Sequence, residues 1–91
     1  MFDKEDLNSL DRKYFNVIAV NEYDVTSMSR NTGHYWYIHD LDCEDRRVLA
    51  LFHRHHGGAE SYHFQRHEPT LRSAVRYIRK HDIFQMNGRK W

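Results

Sequence analysis

The chain lacks most of the features that make a sequence's function legible. It has a single cysteine, Cys43, so no internal disulfide can form, and a reducing, cytoplasmic setting is expected. It has a single proline and no Pro- or Ser-rich linker, repeat or low-complexity stretch, so one domain spanning residues 1–91 is expected. Its longest apolar run, Val48-Leu49-Ala50-Leu51-Phe52, has the length of one strand. A membrane span needs roughly 18 such residues, so no membrane partner is expected. The start, Met1-Phe2-Asp3-Lys4-Glu5-Asp6, is acidic where a signal or transit peptide would be basic. Nothing in the chain calls for a cofactor.

What is present is a charge asymmetry concealed by a net charge of +1. Residues 1–45 carry four Lys/Arg against ten Asp/Glu, a balance of −6. Residues 46–91 carry ten against three, a balance of +7, together with six of the eight histidines. Such asymmetry points to a polyanion or an acidic protein as partner, unless the two halves neutralise each other in the fold. Hydrophobic residues at 40% and aromatics at 14% suffice for one compact core in which rings supply much of the buried area.

Hydrophobic periodicity gives an α+β reading. Residues 3–13 suit a short helix capped by Asp3, with Leu7 and Leu10 on one face. Residues 14–28 are rich in β-branched and aromatic side chains and read as one long strand, with imperfect alternation that a bulge near Asn21-Glu22 would explain. Residues 34–41 alternate cleanly, Trp36 and Ile38 on one face and Tyr35, Tyr37 and His39 on the other. Residues 46–55 form a third strand and residues 60–66 a short fourth. Trp36 and Phe52 are expected in the core. Pro69 opens the best helix, over 70–82, whose Leu71, Ala74, Val75 and Ile78 share an inward face. The order is α-β-β-β-(β)-α: an antiparallel meander of three or four strands with an N-terminal and a C-terminal helix packed on one face.

Three features could carry chemistry. The first is the outward helix face, where Arg72, Arg76 and Arg79 sit at i, i+4 and i+7, extended by Lys80. No carboxylate interrupts the row before Asp82. Arginine's planar fork suits phosphate oxygens, so this row could follow a nucleic-acid backbone. Arg54 and Arg66 could add to it, and the outward Tyr35 and Tyr37 could stack on bases.

The second feature is the histidine-rich strand end. His53 and His55 project the same way from a strand and could share a metal ion with Glu60 or His63. The His-x-His pair with a following glutamate resembles the metal motif of cupins over eight residues, without that family's second motif. His53, His55, His63 and His67, with Arg54 and Arg66 as phosphate holders, could instead serve metal-free ribonuclease chemistry. The element order is also that of the double-stranded-RNA-binding domain, a likeness of topology alone.

The third is the acidic stretch around Cys43. Asp40, Asp42, Glu44 and Asp45 disfavour its thiolate and lack the spacing of a calcium loop, so a solvated turn is expected there.

The leading expectation is therefore a small binding module without catalysis, which contacts nucleic-acid phosphates, of RNA or DNA, through the helix row and the His/Arg strand end. The alternative is a protein-interaction or inhibitor module of the kind carried by phages and mobile elements, docking through Tyr35, Tyr37 and a strand edge. A histidine-based ribonuclease or a metal site stands behind both.

Overall fold

The computed structural model describes residues 1–55 and 61–87. Its elements run α1 (Lys4–Asn8), β1 (Phe15–Val20), β2 (Asp24–Ser29), β3 (Tyr35–Asp40), β4 (Leu49–Arg54), β5 (His63–Glu68) and α2 (Leu71–Met86). The strands form one antiparallel sheet in the order β1-β2-β3-β4-β5. The α+β meander with its two flanking helices is thus as expected, with five strands.

The additional strand comes from residues 14–28, which fold as a hairpin. Asn21 makes the turn. Its side-chain oxygen accepts from the backbone N–H of Tyr23 (3.0 Å) and Asp24 (2.9 Å), the Asx geometry that lets asparagine replace a strand hydrogen bond with a local one. The bulge is real but lies earlier, between Val17 and Ala19, where the register with β2 shifts. At the next turn Gly33 takes φ 74°, a left-handed conformation that a side chain would strain.

Each helix stops or starts for a local reason. In α1, Asp3 caps and exchanges side-chain and backbone bonds with Asp6, a full capping box. α1 ends at Asn8, with Ser9 as its C-cap, and is thus far shorter than the 3–13 expected. The N-cap of α2 is Thr70 rather than Pro69, and Thr70 and Ser73 satisfy each other reciprocally. The helix runs past Asp82 to Met86, because Ile83 to Met86 continue it instead of folding back.

The core lies between α2 and one face of the sheet. Trp36, Ile38, Leu49 and Leu51 meet Leu71 and Ile78, all fully buried. Each such side chain contributes about 1.5–3 kcal/mol relative to exposure. Asp82 falls on the same inward stripe and is fully buried. One of its carboxylate oxygens accepts from the Tyr14 hydroxyl and the other from Thr32 Oγ1 at 3.2 Å. These two bonds fasten the far end of α2 to the start of β1 and to the β2–β3 turn. Burial, reinforced by the bond to Asp82, raises the Tyr14 hydroxyl above its ordinary pKa.

Tyr14→Phe should therefore lower stability by about 1.5–3 kcal/mol, the range for a hydrogen bond to a carboxylate. Urea unfolding reads the loss. A change below about 0.5 kcal/mol would mean that packing alone holds the helix end.

Candidate nucleic-acid interface and histidine cluster

The sheet has a covered face and an open one, and strand alternation assigns every candidate residue to one of them. Trp36, Ile38, Leu51 and His53 point toward α2. Tyr35, Tyr37, Phe52 and Arg54 point away from it. Phe52 therefore leaves the core expected for it and joins the open face, while Trp36 is fully buried as expected.

The register lines up the open-face side chains in rows. Tyr37 pairs with Phe52 and Phe52 with Phe64, so three rings stand side by side on three adjacent strands. Tyr37 and Phe52 stack with centroids 5.6 Å apart, and Phe52 and Phe64 meet edge-on at 5.6 Å. Phe64 is 52% exposed. One row over, the Arg54 guanidinium lies across Tyr35 (5.0 Å) and Tyr62 (4.4 Å). On the other flank stand His39 and His67, either side of Ala50. β3, β4 and β5 place no Leu, Val or Ile on this face. Asp24 is the carboxylate that β2 contributes here. It accepts from the Tyr37 hydroxyl and pairs with His39 at 2.7 Å. Burial and the bond to Asp24 push the Tyr37 hydroxyl up to about 12.

The basic helix residues lie on the opposite side of the molecule. Arg72, Arg76, Arg79 and Lys80 are exposed on the face of α2 turned away from the sheet. They cannot share a short ligand with Tyr35, Tyr37 or Arg54. Nor is their row purely cationic in space, because Arg72 borders a cleft with Glu5 and Asp6 of α1. Arg79 lies over the Tyr14 ring at 4.5 Å. Arg66 projects to the α2 side, over Tyr77 at 5.0 Å and 3.6 Å from Glu68.

The strand-end histidines also divide. His53 is 3% exposed and stacks on Trp36 at 4.2 Å, so it belongs to the interior rather than to a polyanion-facing surface. His63 faces it across β4–β5, and His55 is exposed at the end of β4. Glu60, the remaining member of the expected metal set, lies outside the described residues. The imidazoles that do converge with His53 are His34, which follows Gly33 at the mouth of β3, and His81 of α2. One ring nitrogen from each of the three lies within 4.8 Å of the others. His34 Nδ1 and His53 Nε2 are 3.0 Å apart. His34 is held by its own backbone N–H, which donates to Thr32 Oγ1 at 3.2 Å, the hydroxyl that donates to Asp82.

His34 and His81 were missed in the sequence, though faint signals exist. His34 has the strand parity of Trp36 and Ile38. His81 follows Ile78 by three residues and so borders the inward helix stripe. The ring Phe64 was missed because the short fourth strand lacked a clear period.

Comparison with known protein families, with curated proteins and with solved structures gives no match. Among the described residues no helix is long and apolar enough to cross a membrane.

Burial, and after it the neighbouring His81 and His34, lowers His53 from an ordinary 6.5 to about 3. Between those values the unfolded chain binds a proton that the folded chain refuses. Stability should accordingly fall as pH falls below about 6.5. Asp6 and Asp40 lie below their ordinary 3.8. Burial opposes ionisation at both, but Arg47 bonded to Asp6 and the N-terminal ammonium bonded to Asp40 outweigh it. Their contributions are lost only in stronger acid. Urea midpoints measured with chelator between pH 7 and about 4.5 should thus decline in the wild type and stay flatter in His53→Phe, which keeps the stack on Trp36. Equal slopes would assign the acid sensitivity to other groups.

Proposed function

We propose that the open face of the sheet binds single-stranded nucleic acid, RNA or DNA. The observation that carries this reading is the row Tyr37–Phe52–Phe64 on three adjacent strands of an uncovered face. Every base has a π-face, so a row of rings takes successive bases without needing their sequence. Ring centroids along the row stand 5.6 Å apart, so a strand of nucleic acid crossing the sheet passes the three rings in turn. The flanking groups suit the rest of a nucleotide. Arg54, His39 and His67 border the rings, and Asp24 is turned to Tyr37 and His39. β3 to β5 place no Leu, Val or Ile on this face, so its apolar surface is almost wholly aromatic. The basic row of α2 is then a second, separate surface. It lends long-range attraction for a polyanion without touching the stacked bases.

Titration of short labelled oligonucleotides tests the reading. Single strands should bind more tightly than duplex. With few phosphate contacts the log–log salt slope should be shallow, about −1 to −2, at roughly 0.7 per phosphate. Phe52→Ala and Phe64→Ala should each cost about 1–3 kcal/mol of binding. The triple change of Arg72, Arg76 and Arg79 to alanine should alter single-strand affinity far less. A steep duplex slope near −4 to −5, abolished by that triple change, would move the site to the helix. Absence of binding at about 50 mM salt would sink nucleic-acid recognition and leave the protein-docking alternative.

A further inference from the structure

We propose that His34, His53 and His81 form a three-imidazole site for a divalent transition-metal ion of the zinc class. The site is spatially distinct from the open face, because it lies under α2 on the other side of the sheet.

The three residues come from the mouth of β3, the end of β4 and the last turns of α2, so only the folded chain brings them together. Their nitrogens already fall within 4.8 Å of one another, with one pair at 3.0 Å. Zinc–imidazole bonds of about 2.0–2.1 Å on a tetrahedral centre set ligand nitrogens about 3.3 Å apart. Rotation of the half-buried His34 and His81 rings closes the remaining distance, while the stack on Trp36 keeps His53 in place.

The donor chemistry selects the ion. An all-imidazole set suits zinc, copper, nickel and iron and disfavours magnesium and calcium, which want oxygen ligands. Three neutral imidazoles also leave a tetrahedral ion one position short. A cleft lined by Asn31, Thr32, His34, Gln85 and Met86 opens at His34, on one side of the cluster. An ion there would cross-link α2 to β4 and to the start of β3, next to the bond by which Asp82 already ties α2 to the β2–β3 turn at Thr32.

Thr32 Oγ1 receives the His34 backbone N–H and donates to Asp82, which ties the backbone at His34 to α2. Trp36 lies flat on His53 at 4.2 Å and edge-on to His81 at 5.2 Å, so an aromatic wall lines one side of the cluster. His55, stacked on His34 at 4.9 Å, is exposed and flanks the site from outside.

The test uses the full chain purified without a histidine tag and stripped with chelator. Cobalt(II) and zinc(II) are titrated in turn. The wild type should take up one equivalent, with the intense visible ligand-field absorption of tetrahedral cobalt, and zinc should displace it. Loss of an outer partner of a metal histidine already costs 10–100-fold in affinity, so His34→Gln and His81→Gln should each weaken binding by more than about 100-fold. His39→Ala and His67→Ala, both on the opposite face of the sheet, should leave cobalt affinity and spectrum unchanged. Ring-nitrogen NMR of the wild type with one equivalent of zinc needs no substitution, and so holds even if a variant fails to fold. Shifts at His34, His53 and His81 support the site. Shifts confined to His55 and His63, or no saturable binding by the folded wild type, overturn it.

Discussion

One sixteen-residue helix has to cover a five-stranded sheet, and it can cover only one face. Most of the molecule follows from that shortage. A sheet with a single helical layer needs apolar side chains on alternate positions only, and Trp36, Ile38, Leu49 and Leu51 meet the need. The intervening positions must be tolerated by water. On β3, β4 and β5 they are filled mostly with rings that carry polar edges or stack on one another, with Arg54 among them. Trp36 and Tyr37 are neighbours in sequence, yet the first is fully buried and the second partly open. The period of two in a strand is the whole cause of that difference.

The same constraint explains what could be read in the sequence. Residues 35–40 alternate so cleanly that their two faces were legible without a structure. The inward stripe of α2 was equally plain from its spacing. Both signals are local. The hairpin at Asn21 was not legible, because an Asx turn and a bulge perturb alternation in the same way, and only strand pairing separates them. Phe52 was misread because an apolar run in a central strand looks buried on both sides, whereas coverage depends on how many helices the fold supplies. The histidine cluster was legible only in its middle member. His53 stood out in a histidine-rich run, but His34 and His81 meet it through a sheet register and a helix orientation that no short window contains.

The charge asymmetry takes a different meaning in three dimensions. Part of it is internal. Arg47 of the basic half bonds Asp6 at 2.7 Å and stands 3.6 Å from Asp40, both in the acidic half. Arg72 shares a cleft with Glu5 and Asp6, so α1 dilutes the first turn of the basic row. A row of one sign along a helix is thus weaker as a functional signal than its sequence suggests, since neighbouring elements supply the missing charges. The rings on the open face carry no such ambiguity. Among the described residues no helix or strand packs over them, and Phe64 remains half exposed.

β4 joins the two surfaces. Leu51 and His53 face the helix while Phe52 and Arg54 face outward, so four consecutive residues alternate between the cluster and the ring row. Whatever fixes His53 also fixes the strand that holds Phe52 in line with Tyr37 and Phe64. An ion bridging β3, β4 and α2 would therefore act on the open face without touching it. It would restrain the register on which the spacing of the rings depends, and a row that is already aligned loses less entropy when a ligand stacks on it. The coupling runs through the backbone of β4, whose path the two faces share while their side chains order separately.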